Sequence, residues 1–219
     1  MNRRLPSLGS YLNYKRVEYI ESNGGSVANV GPCFQVPIEY DAQKDILVFE
    51  TCHMIDYSSG AQAEGSNRSS AMLFYGVRAN GNSYFGQEGE IDSTDGVVFD
   101  GPAIKEGYSV FRVQTSPSMF STWLNGTLIR EVLCKHGNNF ELKTISVFAA
   151  LAHKTGQSSD YPFNGRKRYF KLWINHQLVI NLIPVIDSLN VPCMYNVVNG
   201  QFFYNESEGE FKAGPLLGA

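Results

Sequence analysis

The sequence predicts an all-β chain built as two packed antiparallel sheets, and three observations predict it. Short apolar runs, alternating or continuous, recur from Tyr14 to Tyr204, about a dozen in all, and no useful window shows the 3.6-residue period of an amphipathic helix. Asn-Gly pairs at Asn80-Gly81, Asn125-Gly126 and Asn199-Gly200 each stand between such runs. Asn-Gly is the strongest short-range hairpin signal, because a type I′ turn needs positive φ at both central residues. Aromatic residues make up 13%, with 14 Phe and 12 Tyr beside 21 Gly, a mix that suits many strands with tight connections.

Taken in order, residues 1–13 form an arm without periodicity, interrupted by Pro6 and Gly9. Residues 14–22 read as the first strand, with Val17, Tyr19 and Glu21 opposed to Arg16, Glu18 and Ile20. Residues 33–38 read as an edge strand, because Pro32 and Pro37 cannot donate to a ladder on both sides. Residues 44–55 make a long strand, with Ile46, Val48 and Glu50 on one side and Leu47, Phe49 and Thr51 on the other. A polar loop fills 57–70. Strands follow at 71–77 and 83–86, then at 96–99 and 108–115 with a Gly101-Pro102 corner between them. Residues 120–124 and 127–133 flank Asn125-Gly126. Residues 143–151 are strongly apolar, and 153–164 are a second polar loop. Residues 168–174 alternate, with Phe170, Leu172 and Ile174 opposed to Tyr169, Lys171 and Trp173. Asn175-His176 reads as a tight turn, since Asn and His tolerate the left-handed region well. Runs at 178–185, 194–198 and 201–204 complete the series.

The two ends carry a resemblance. YKRVEYIESNGG (14–25) and MYNVVNGQFFYNESEGEFKAGP (194–215) resemble the opening and closing strands of concanavalin A-like lectin/glucanase domains of phage virion proteins and gut-bacterial surface proteins. Where that family often continues its first strand with a Thr-Gly segment, this chain reads SVANVG at 26–31. The resemblance implies a jelly-roll β-sandwich over 14–215, between the arm 1–13 and a tail 216–219. It implies a non-enzymatic virion protein, structural or adhesive, capsid- or tail-associated, that contacts glycans. A stand-alone lectin and a laminarinase-type hydrolase are the alternatives.

The hydrolase alternative rests on Glu90, Asp92 and Asp95. Laminarinase-type enzymes carry a Glu-x-Asp-x-(x)-Glu strand, and a retaining mechanism needs its carboxylates ~5 Å apart. Here Asp95 takes the place of the last Glu, and Ser93-Thr94-Asp95-Gly96 reads as a solvated turn. No catalytic residue is therefore assigned. His53, His136, His153 and His176 show no HxH or HExxH spacing, and no cofactor is expected. A structural calcium would draw on Asp92, Asp95 and Asp100, whose spacing fits no known calcium loop. Arg166-Lys167-Arg168 beside Tyr169 and Phe170 reads as a solvated strand entry rather than a nucleic-acid patch. Tyr57, Tyr84, Trp123, Tyr161 and Trp173 are the candidates for sugar stacking.

A net charge of −3 provides no long-range attraction for nucleic acid or an anionic membrane. No apolar run approaches the ~18 residues of a membrane span, and MNRRLPSLGSYL has no apolar stretch of the signal-peptide kind. The expected location is a virion assembled in the host cytoplasm. Cys33, Cys52, Cys134 and Cys193 are widely spaced and read as buried free thiols. In the arm, Leu5, Leu8, Tyr11 and Leu12 offer apolar surface and Arg3 and Arg4 positive charge. They are the candidate contacts to another copy or another virion protein.

Overall fold

A computed structural model describes residues 14–24, 31–55, 62–66, 72–78, 80–88, 97–133, 142–150, 153–154, 157–158 and 161–218. Its strands are β1 Tyr14–Arg16, β2 Ile20–Asn23, β3 Phe34–Pro37, β4 Leu47–Ile55, β5 Gln62–Ser66, β6 Met72–Val77, β7 Asn82–Glu88, β8 Val97–Ala103, β9 Ser109–Ser116, β10 Met119–Leu124 and β11 Thr127–Leu133. They continue as β12 Thr144–Val147, β13 Ala149–Ala150, β14 His153–Lys154, β15 Gln157–Ser158, β16 Tyr161–Pro162, β17 Asn164–Ile174, β18 Gln177–Asp187, β19 Pro192–Asn196, β20 Phe202–Phe203 and β21 Lys212–Ala213.

Two sheets form the body. The larger has the order β11-β10-β9-β4-β17-β18-β19-β20, with β1 on β18, β2 on β17 and β21 on β2. The smaller has the order β3-β12-β5-β6-β7-β8. Period-two alternation makes this possible: β9 reads buried and half-buried residue by residue, so Phe111 and Val113 turn inward while Arg112 and Gln114 turn outward. Inward rings from both sheets interdigitate. Phe49 lies 5.7 Å from Tyr75, Tyr75 4.9 Å from Phe111, Phe111 5.9 Å from Phe85 and Phe85 5.7 Å from Phe99. Such pairs add about 0.5–1.5 kcal/mol each beyond their buried area.

Several expectations need correction. The first strand is not continuous. Residues 14–23 fill the wedge where β17 and β18 part, so β1 pairs with β18 and β2 with β17. The break at Glu18 and Tyr19 puts Val17 and Ile20 in the core together, rather than on opposite faces. On its far side β1 meets the tail: Val17 bridges Leu216, and the Leu217 amide donates to the Arg16 carbonyl. The loop expected at 57–70 contains β5, a polar strand in the middle of the smaller sheet. The residue types hide it, because Gly65 is packed so closely that a Cβ would fall 2.1 Å from the Leu73 carbonyl oxygen. Gly101-Pro102 is not a corner but a bulge within edge strand β8, where the pairing skips from Asn82↔Ala103 to Tyr84↔Asp100. The strand expected over 143–151 breaks at Phe148, whose φ is 70°. At Asn199-Gly200 the hairpin forms, but through a wider loop: the Asn196 amide donates to the Gln201 carbonyl, and of the two residues only Gly200 has positive φ.

Arg166-Lys167-Arg168 also departs from the solvated reading. Arg166 and Arg168 point outward to Glu21 and Glu18, but alternation drives Lys167 into the core, where it is fully buried. Its ammonium donates to Thr51 Oγ1 at 2.8 Å and lies 4.9 Å from the Phe163 ring centre. Beside it, His53 stacks on Phe111 at 4.7 Å and shares a hydrogen bond between Nδ1 and the Tyr75 hydroxyl. Burial, with the positive Lys167 second, pushes the His53 pKa well below 6.5. Cys33, Cys52 and Cys193 are buried, and Cys52 and Cys193 are free thiols. Burial and then the Asp187 charge push the Cys193 thiol up to about 12.

Candidate functional site

The outward face of the larger sheet brings together residues far apart in the chain. Register places Trp123 opposite Arg112, Arg112 opposite Glu50, Glu50 opposite Lys171 and Lys171 opposite Asn181. This row crosses β10, β9, β4, β17 and β18, and at ~4.8 Å per strand it is roughly 19 Å long. Trp173 stands two residues beyond Lys171 on the same face. The inward neighbours Phe49, Phe111, Phe170 and Leu172 are fully buried, which fixes the row on the solvent side.

Arg112 is the centre. Its guanidinium carbon lies 5.4 Å from the Trp123 ring centre and 5.9 Å from that of Trp173. The two indoles therefore lean toward one cation, with ring centres no more than about 11 Å apart. Both indoles are half-buried, leaving ring surface to solvent. Glu50 Oε2 is 3.8 Å from Arg112 Nη1, while Glu50 Oε1 accepts a hydrogen bond from the Tyr169 hydroxyl at 3.1 Å. Burial and the Glu50 charge raise the Tyr169 pKa, so the phenol keeps its proton and donates at neutral pH. Lys171 Nζ lies 4.6 Å over the Tyr169 ring.

The two tryptophans occupy equivalent places in two hairpins. TWLNGTLI (122–129) and LWINHQLV (172–179) share Trp, Asn and Leu at the same spacing. Asn125 and Gly126 both have positive φ, as do Asn175 and His176. Each Asn is pinned to the neighbouring strand in the same way. Asn125 exchanges a backbone donor and a side-chain acceptor with Val110, and Asn175 does so with Ile46. Each Trp also marks a bulge, as the pairing skips Ile129 opposite Trp123 and Val179 opposite Trp173. Bulges re-aim side chains. The order β11-β10-β9 | β4-β17-β18 thus has an approximate two-fold relation about the β9–β4 seam. Reading the sequence strand by strand missed this repeat; the shared Trp-x-Asn-x-x-Leu spacing was the signal for it.

Of the other candidates, Tyr84 is only 6% exposed and carries Arg78 over its ring, so it is no open platform. Asp100 faces Arg78 as an ion pair. No three His, Cys, Asp or Glu side chains come together as a metal cluster among the described residues. Glu90, Asp92 and Asp95, the arm residues Arg3, Arg4, Leu5, Leu8, Tyr11 and Leu12, and also Tyr57, Cys134 and His136 lie outside the described residues. Tyr161 falls in β16. A separate cleft of about 590 Å³ lies over Glu21, Lys105, Glu106, Asn164 and Arg166.

Sheet order, antiparallel register and inter-sheet core together define a concanavalin A-like β-sandwich. The chain is similar in fold to a Bacteroides ovatus protein provisionally assigned to carbohydrate binding, with TM-score 0.55 and 9% identity over 91% of this chain and 60% of that one. It is similar to the native heptameric SAP-like pentraxin of Limulus polyphemus, with TM-score 0.53 and 12% identity over 75% of this chain and 78% of that one. It is also similar to domains LG4-5 of the mouse laminin α1 chain, with TM-score 0.52 and 10% identity over 81% of this chain and 47% of that one. No protein-family model matches the chain, and no curated protein matches it in sequence.

Proposed function

We propose that the protein is a non-enzymatic adhesive module whose glycan-contacting surface is the Trp123–Arg112–Trp173 face. The observation that carries this reading is the pair of half-exposed indoles brought from separate hairpins onto one solvent face around a single guanidinium. Indole faces stack on the apolar face of a pyranose, while Arg112, Lys171 and Glu50 offer donors and an acceptor to its hydroxyls. The carbohydrate-binding assignment of the Bacteroides ovatus fold neighbour agrees with it. The virion setting rests on the terminal segments 14–25 and 194–215 and their resemblance to phage virion domains.

Titration of the purified protein against an oligosaccharide panel tests the reading. Trp123→Ala and Trp173→Ala are each expected to weaken the best ligand about tenfold, and the double variant to abolish binding. A glycan bound equally well by the double variant refutes the platform. Hydrolysis of a β-glucan that disappears in Glu90→Gln refutes the non-enzymatic part.

A second element of the reading concerns assembly. β1 begins at Tyr14 opposite Asp187, next to the β18–β19 turn, where Leu189 is 79% exposed and Val191 41%. The arm residues Leu5, Leu8, Tyr11 and Leu12 suit an apolar contact with another copy or another virion protein, with Arg3 and Arg4 at its rim. Deleting residues 2–12 should leave the melting temperature nearly unchanged and abolish assembly. The same oligomer in the truncated protein overturns this.

A further inference from the structure

We infer that the glycan taken by this face is anionic, carrying a carboxylate or a sulfate, and that its charged unit seats on Arg112. The inference rests on the platform reading and goes on to name its ligand class.

Two independent observations carry it. The first is the state of the guanidinium. Glu50 Oε2 is 3.8 Å away, beyond hydrogen-bond range, and Glu50 Oε1 already accepts from Tyr169. Arg112 packs against two indole rings and forms an ion pair with Glu50 without a hydrogen bond, and its side chain is 40% exposed. A planar fork of N–H donors held in this way matches a carboxylate or sulfate bidentately, which a neutral hydroxyl cannot do.

The second observation is the asymmetry across the β9–β4 seam. The approximate two-fold relation sets Trp123 against Trp173, and the residue paired with each Trp is Arg112 in one half and Val48 in the other. Likewise the place of Glu50, next to Arg112, is taken in the second half by Gln114, next to Val48. The second half has the same hairpin, the same bulge and the same indole with Val48 in the place of Arg112. Arg112 is therefore not required to build the platform. Its charge sits between the two indoles, so the anionic unit seats at the middle of the platform.

The remaining charges on this face are of both signs. Lys171, two strands from Arg112 in the same row, adds a second cation. Of the carboxylates, Glu50 is bound by Tyr169 and Glu131 accepts from Ser121 Oγ at 3.0 Å. Arg168 is already paired with Glu18.

The experiment titrates the full chain with hexagalacturonate, a heparin hexasaccharide and neutral cellohexaose, at low salt and at about 0.5 M NaCl. At least one charged probe should bind about tenfold or more tightly than cellohexaose, and the margin should shrink in high salt. Which charged probe wins separates carboxylate from sulfate recognition. Arg112→Gln should erase the margin, while Gln114→Ala, a change to a neutral residue on the same strand, should keep it; matched melting temperatures exclude a folding effect. Equal binding of cellohexaose and both charged probes overturns the inference but leaves the platform standing. A charge preference that survives Arg112→Gln overturns it too. If no probe binds the folded protein, the platform reading fails together with this one.

Discussion

Gly165→Ala is the sharpest perturbation the fold allows. Gly165 lies in β17 with Ile55 of β4 on one side and Ser22 of β2 on the other. A Cβ on it would stand 2.2 Å from the Met54 carbonyl oxygen and 3.1 Å from Ile55 Cα. Those are backbone atoms of a paired strand, so they cannot rotate aside as a flexible side chain would. The strands must part locally, with overpacking strain of ~1–3 kcal/mol and the loss of one or two ladder bonds at ~1 kcal/mol each. The total is about 3 kcal/mol. For a chain of this length each kcal/mol lowers Tm by about 2–4 °C, so a fall of about 6–12 °C is expected by thermal unfolding. Gly126→Ala is the comparison. Gly126 has φ +78° but nothing within 4 Å of the added carbon, so it bears only a left-handed penalty of ~1 kcal/mol, or about 3 °C. A Gly165→Ala shift no larger than that of Gly126→Ala would refute the close-approach reasoning.

The thiols and the core histidine give two further tests. Denaturing alkylation without reductant should modify all four cysteines, as counted by mass spectrometry, and in the native protein Cys193, with its thiol pushed up to about 12, should resist alkylation at pH 8; fewer than four modified thiols contradicts the first part. Because the folded pKa of His53 is depressed, the unfolded chain takes up the proton first as pH falls below about 6.5, so stability should decline from there down to the folded pKa, by at most ~1.4 kcal/mol per pH unit. Asp187, held below the usual carboxylate range chiefly by the Val191 amide, adds loss of the same sign at lower pH. His53→Phe should therefore flatten the urea-midpoint slope between pH 5 and 7, and an unchanged slope shows that His53 is not its source.

Some elements were legible residue by residue. The hairpin at Asn125-Gly126 and the turn at Asn175-His176 follow from local backbone preference, which no distant contact needs to enforce. The faces of 168–174 follow from alternation, and Phe170 and Leu172 are fully buried as that pattern requires. The edge position of β3 follows from its prolines. Other features depend on what lies across the chain. β5 carries no apolar pattern, and its place in the smaller sheet comes from close packing at Gly65. The break after Arg16 exists because β17 and β18 diverge and leave a wedge for residues 14–23. Lys167 sits in a run of three cations that reads as solvated; extrapolating the alternation of Phe170 and Leu172 would also point it outward, but a bulge at Arg168 shifts the phase of β17 and buries it with Gly165.

The candidate site divides in the same way. The sequence alone named Trp123 and Trp173 among possible stacking residues, because residue type and loop proximity are local properties. It could not name Arg112, Glu50 or Lys171, since each is an ordinary polar position on its own strand. Only the register of β10, β9, β4 and β17 sets them side by side, and register is fixed by long-range pairing and by the burial of the opposite face. The sequence determined which side chains alternate; the tertiary structure decided which of them meet, because cross-strand neighbours such as Glu50 and Lys171 stand 121 residues apart in the chain and no local preference encodes that pairing.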